Sequence, residues 1–147
     1  MTKTSGAATA DSTTNRNIAV DEAYVAQARG ELALAEGRPA DAVGILEAAR
    51  VGSSSDLQIL DALAAAQAGA GNLDAAATSY QEVIASRALG FEAQEDWLQA
   101  HLRLGSVYER LGRNADAREQ YARLVALWKD GDSDLPALRE ATARLSK

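Results

Sequence analysis

The sequence predicts an all-α chain of three antiparallel helical hairpins closed by a single C-terminal helix. Three observations carry that expectation. A glycine is followed five residues later by an alanine at Gly37/Ala42, at Gly71/Ala76 and again at Gly112/Ala117. These glycines stand 34 and then 41 residues apart, so the chain repeats itself at the length of a helix pair. The apolar residues, 47% of the 147, are mostly alanine and leucine, with two prolines and 5% aromatics, as suits helices packed closely through small side chains.

The pattern is fullest between Leu104 and Tyr121, in LGSVYERLGRNADAREQY. On a hairpin reading, Gly105 and Ala117 are small where two helices approach, and Tyr108 and Tyr121 fill the space beside them. Gly112 supplies the left-handed residue that ends the first helix of the pair.

In chain order, residues 1–20 hold almost no large apolar side chain before Ile18 and are expected to form a disordered leader or linker. Domain 21–147 then divides into hairpins at about 21–51, 54–86 and 96–129 and a capping helix at about 134–146. Asp21 is placed as the first N-cap, with Val25, Ala28 and Leu32 on the buried stripe and Gly37 as the stop. Pro39 opens the second helix, whose stripe is Ala42, Leu46 and Ala49. Ser54 or Ser55 caps the third helix, with Leu60 and Leu63 inward; Asn72 caps the fourth, with Ala76, Tyr80, Val83 and Ile84 inward. Seven extra residues then shift the register, and Gly90 marks a loop, SRALGF, before a fifth helix that begins near Trp97. The sixth runs from Asn114 to about Trp128. In the last, capped by Ser133 or Asp134, residues Leu138, Ala141, Thr142 and Leu145 share one face, as in a terminal cap.

The net charge of −6 and pI near 4.8 argue against a nucleic-acid partner, which needs clustered Lys and Arg. No run of about 18 apolar residues occurs, so no membrane span is expected, and the N-terminus lacks the apolar stretch of a secretory signal. With no cysteine there is no disulfide, thiol nucleophile or cysteine zinc site; a cytoplasmic location is the expectation.

From about residue 22 to 129 the chain resembles the tetratricopeptide repeat. Leu104, Gly105, Tyr108, Gly112, Ala117 and Tyr121 stand at the family's spacing. The second repeat keeps Leu63, Ala64, Gly71, Ala76 and Tyr80 but has Gln67 where the family prefers an aromatic. The first keeps Gly30, Gly37, Ala42 and Ala49 but has Arg29 in place of the leucine. The resemblance implies a right-handed α-solenoid that is not an enzyme, needs no cofactor, and binds a protein or peptide on the concave groove lined by the first helix of each hairpin. Carried onto this chain, the groove positions are Tyr24, Gln27, Glu31, Gln58, Asp61, Ala65, Gln99, Leu102, Arg103, Ser106 and Arg110. One subclass clamps a C-terminal carboxylate with Lys, Asn and Arg. Here only Arg103 would match, while Gln27, Glu31, Gln58 and Asp61 fill other clamp positions, so that role is not expected. The segment VYERLG followed by ALWKDGDSDLP also looks like repeat regions attached to bacterial serine/threonine kinases. That likeness implies an alternative role as the regulatory or sensor segment of a larger bacterial signalling protein.

On this reading Glu31 and Asp61 place negative charge toward one end of the groove, and Arg103 and Arg110 place positive charge toward the other, to meet the acidic part of a peptide. The lone His101 is expected to pack rather than catalyse, since no second histidine or cysteine exists to complete a metal or triad site. Asp130, Asp132 and Asp134 imitate a calcium loop, but Leu135 stands where its glycine is required and Ala141 where its glutamate is. AGAGNLD lacks the Lys-Ser/Thr ending of a phosphate loop. Trp97 and Trp128 are expected to pack the insertion and the cap.

Overall fold

The computed structural model describes residues 22–52, 57–86, 94–128 and 135–146, and among these all regular structure is helical. The helices are α1 (22–35), α2 (Pro39–Gly52), α3 (Leu57–Gly69), α4 (Leu73–Ala85), α5 (Gln94–Arg110), α6 (Asn114–Leu127) and α7 (Pro136–Leu145). The expected leader, the Asp21 cap, Ser54 and Ser55, most of the SRALGF loop and the acidic run of residues 130–134 lie outside the described residues.

The same turn joins α1 to α2, α3 to α4 and α5 to α6. Gly37, Gly71 and Gly112 have φ of 74°, 83° and 73°, in the left-handed region where a Cβ would be strained. Around each glycine a pair of backbone bonds closes the preceding helix. Gly37 N–H donates to Leu34 C=O (3.1 Å) and Arg38 N–H to Ala33 C=O (2.8 Å). The pairs Gly71/Ala68 with Asn72/Gln67, and Gly112/Glu109 with Arg113/Tyr108, repeat it at 2.8–3.2 Å. The residue after each glycine then accepts the first bond of the next helix, from Ala42, Ala76 and Ala117 at 3.1, 2.9 and 3.0 Å. That geometry is the physical content of the five-residue glycine-to-alanine spacing.

Contacts across each turn are symmetric about it, the relation of two helices running in opposite directions. A Cβ on Gly30 would fall 2.5 Å from Leu46 Cγ, and one on Gly105 would fall 2.7 Å from Tyr121 Cζ. In the middle pair Ser79 Oγ donates to Gln67 Oε1 across the turn at 2.8 Å, with both side chains buried. This bond explains how Gln67 stands at an aromatic position: Ser79 on the facing helix satisfies the amide that burial would otherwise leave without a partner.

The helices from α2 onward pack in chain order, each against the next, with further contacts of α3 with α5 and of α5 with α7. One core cluster joins Ala33, Leu46, Ile59 and Leu63 of α1, α2 and α3; the other runs from Leu60 and Tyr80 through Leu104 and Tyr121 to Ala141 of α7. Because α3 feeds both clusters, the core is continuous in effect. Each fully buried Leu, Ile or Tyr removes enough apolar area from water to stabilise the fold by about 1.5–3 kcal/mol. Surface pairs tie elements together: Arg50 to Glu82 at 2.5 Å links α2 to α4, and Arg144 to Glu109 links α7 to α5.

Several expectations are corrected. Val25 and Leu32 are 52% and 57% exposed and Ala28 is exposed too, while α1 buries Ala23, Gly30 and Ala33 instead. The equivalent positions on α3 and α5, Ile59, Ala66, Ala100 and Val107, are buried because a preceding helix pair lies over them. Arg29, at a leucine position, is exposed for the same reason. Asn72 stands before α4 but its side chain makes no capping bond, and Leu135 takes the N-cap position of α7 ahead of Pro136. Thr142 is exposed, its hydroxyl donating to Leu138 C=O, while Ala141 is the buried residue of α7.

Candidate interaction groove

The first helices of the three pairs meet along one side, where a cavity of about 470 Å³ opens. Its walls are Gln27 and Glu31 of α1, Gln58 and Asp61 of α3, and Asp96 and Arg103 of α5, over a floor of Leu34, Ala62 and Ala65. Six of the eleven groove positions expected from the sequence, Gln27, Glu31, Gln58, Asp61, Ala65 and Arg103, line this one cavity. Of the others, Tyr24 is half-exposed on α1, Leu102 packs partly against the core, and Gln99 and Ser106 are partly buried on α5.

Both arginines make bonds within the chain that the sequence reading does not contain. Arg103 Nη1 donates to Asp61 Oδ2, and the pair ties α5 to α3 across 42 positions of sequence. Arg110 Nη1 donates to Ala68 C=O at 2.8 Å, at the C-terminal turn of α3, where the negative end of the helix dipole attracts a cation. At the rim, Gln27 Nε2 donates to Glu31 Oε1 at 2.8 Å, a same-face pair one helical turn apart.

Asp61 is the most enclosed charge of the groove, its side chain 17% exposed, and Oδ1 has no hydrogen-bond partner among the described residues. Burial pushes its carboxyl above the ordinary aspartate value. Arg103 pulls the other way, and the negative charges of Asp96 and Glu31 push up again. Beside it, burial raises the Tyr80 phenol, with Asp61 adding to the effect.

Asp96 was missed in the sequence, although a signal existed. It precedes Gln99 by three residues and Arg103 by seven, so it continues their stripe by one turn. The Asp61–Arg103 contact could be read only from the repeat register, which sets the two on neighbouring helices.

The rest of the surface offers less. A second cavity of about 360 Å³ lies between α4, α5 and α6, and its charges pair with each other: Arg113 with Asp116 at 2.7 Å, Arg123 with Glu119 at 2.5 Å. Arg113 also lies 4.4 Å over the ring of Tyr108, whose hydroxyl accepts from Gln81 Nε2 at 2.7 Å. His101 is buried and lines neither cavity. Its Nδ1 is 2.9 Å from Gln120 Oε1, and its ring meets Trp97 edge-on at 4.7 Å. Trp97 in turn donates from Nε1 to Ile84 C=O at 2.9 Å, and Trp128 packs partly against the core. Among the described residues no group of three His, Cys, Asp or Glu is placed to hold a metal ion, and no helix is long and apolar enough to cross a membrane. A scan against protein-family models finds no match, and a search of curated proteins finds no relative.

Proposed function

We propose that the chain is a non-catalytic protein-interaction module of the tetratricopeptide kind, a right-handed solenoid of three hairpins that holds a peptide segment of a partner along α1, α3 and α5. The observation that carries this reading is the shared cavity. Gln27, Glu31, Gln58, Asp61 and Arg103 come from three helices, far apart in sequence, and line one open space of about 470 Å³. The recurring left-handed turns and the contacts of α3 with α5 and of α5 with α7 support the stacked arrangement. Side chains on such an inner face have few packing duties and are available to a partner.

The test is affinity capture with the full chain as bait, beside Gln27→Arg/Gln58→Arg, which fills the cavity, and Arg139→Glu, which alters an exposed residue of α7. A partner retained by the parent and by Arg139→Glu and lost on the groove variant supports the proposal. Equal recovery on all three baits contradicts it.

A second reading is favoured by one observation. Val25 and Leu32 are exposed at positions whose counterparts on α3 and α5 are covered by a preceding helix pair. That suits a regulatory or sensor segment of a larger bacterial signalling protein, with a neighbouring domain over α1.

A further inference from the structure

We propose that the outer face of α1 is a second interaction surface, outside the groove, and that its partner is another copy of this chain in antiparallel, two-fold contact. Val25, Arg29 and Leu32 are exposed there. Their counterparts in the repeat register, Ile59, Leu63 and Ala66 on α3 and Ala100, Leu104 and Val107 on α5, are all buried. The one change of chemistry is Arg29, which stands where the covered helices have Leu63 and Leu104. A guanidinium taken out of water needs a carboxylate beside it. Helix α1 does not supply one, since the residues three and four positions to either side of Arg29 are Val25, Ala26, Leu32 and Ala33. The carboxylate has to come from whatever covers this face.

A second α1 brings it. Glu22, Arg29 and Glu36 recur every seven residues with Val25 and Leu32 between them, so the five share one exposed stripe, basic at its centre and acidic at both ends. Paired antiparallel with a half-heptad offset, two such stripes set Arg29 of one copy beside Leu32 of the other and about one helical turn from its Glu36. The opposite offset sets Arg29 beside Val25 and one turn from Glu22. Either arrangement makes the ion pair on both sides of the axis and keeps Val25 and Leu32 in the seam. Glu36 is bonded to Arg38 within one copy, but that pair is exposed and costs little to exchange. Parallel pairing would instead set arginine on arginine. A head-to-tail stack fits no better, since the exposed face of α7 carries Arg139, Glu140 and Thr142, polar groups against which Val25 and Leu32 gain nothing. One helix against its copy is a small interface, so the dimer is weak and dissociates on dilution.

The experiment is sedimentation equilibrium on the full chain from low micromolar to millimolar concentration. Beside the parent run Arg29→Glu, Glu22→Arg/Glu36→Arg, the variant that combines all three reversals, and Arg139→Glu as a charge control on α7. The substituted residues are exposed, so the fold is kept, and circular dichroism checks it. Expected is a concentration-dependent dimer for the parent and for Arg139→Glu, weakened about tenfold or more in Arg29→Glu and in Glu22→Arg/Glu36→Arg, where like charges meet in the seam. The combined variant restores opposite signs and should recover the dimer, which a merely structural defect would not allow. A parent that stays monomeric throughout overturns the proposal and leaves the face to another partner, such as a neighbouring domain. Association that Arg29→Glu leaves unchanged, or that the combined reversal does not restore, overturns it as well by placing the contact elsewhere.

Discussion

Gly105 of α5 lies against the ring of Tyr121 of α6 so closely that a methyl group added to the glycine would overlap Cε1 and Cζ. The corresponding residue of the middle pair is Ala64, buried in the same core as its counterpart Tyr80, so the third pair packs without the methyl that the second accommodates. Gly105→Ala gains about 1 kcal/mol of helix propensity but overpacks a full interior by about 1–3 kcal/mol. A net loss of stability in urea denaturation is expected. A rise in the midpoint would show that the helices separate at no cost and that this approach does not set the packing.

Leu32 and Leu46 make a paired test of which face of α1 is covered. Leu46 is wholly buried under Gly30, so Leu46→Ala should cost about 2–5 kcal/mol. Leu32 stands in solvent, and Leu32→Ala should change stability by no more than about 0.5 kcal/mol. Comparable losses would mean that something covers the outer face of α1.

The turns were legible in the sequence because their chemistry is local: a left-handed glycine and a small residue five positions later dictate one backbone path. The buried face of α1 was not. Periodicity marks Val25, Ala28 and Leu32 as an apolar stripe, but only position in the stack decides whether a neighbour covers it. Small residues such as Ala23, Gly30 and Ala33 carry the actual contact, and they weigh little in a hydrophobic pattern. In the groove, six of the positions carried over from the repeat resemblance line one cavity. The fate of each charge depended on long-range pairing such as Asp61 with Arg103, which spacing within one helix does not show.

His101 should make the protein acid-sensitive near neutrality. Burial holds its imidazole below the ordinary 6.5, outweighing the opposing pull of the bond to Gln120. The unfolded chain therefore takes up a proton at a higher pH than the folded one, and stability falls as pH drops through about 6.5 toward the lower folded value. His101→Phe, which keeps a ring beside Trp97, should flatten the dependence of the urea midpoint between about pH 7 and 5. An unchanged slope would place the proton uptake elsewhere.

Asp61 works in the opposite sense. Its carboxyl is raised by burial, so the folded chain holds a proton to higher pH than the unfolded one, and this residue's contribution declines as pH climbs above the ordinary aspartate value of 3.8. Arg103→Met removes the charge that pulls the carboxyl down and should steepen that decline, whereas Asp61→Asn should abolish it. Denaturation profiles from about pH 3.5 to 7 separate the cases. Identical profiles for both variants and the parent would show that the pair is solvated rather than enclosed.

The most direct measurement is backbone chemical-shift mapping of the full chain as a captured partner peptide is added. Peptide held along the inner side should move the resonances of Gln27 and Glu31, of Gln58 to Ala65, and of Asp96 to Arg103, and leave α2 and α4 unmoved. Shifts gathered instead on Val25 and Leu32, or around Gln81 and Arg113 in the α4 to α6 cavity, would contradict a groove built from α1, α3 and α5.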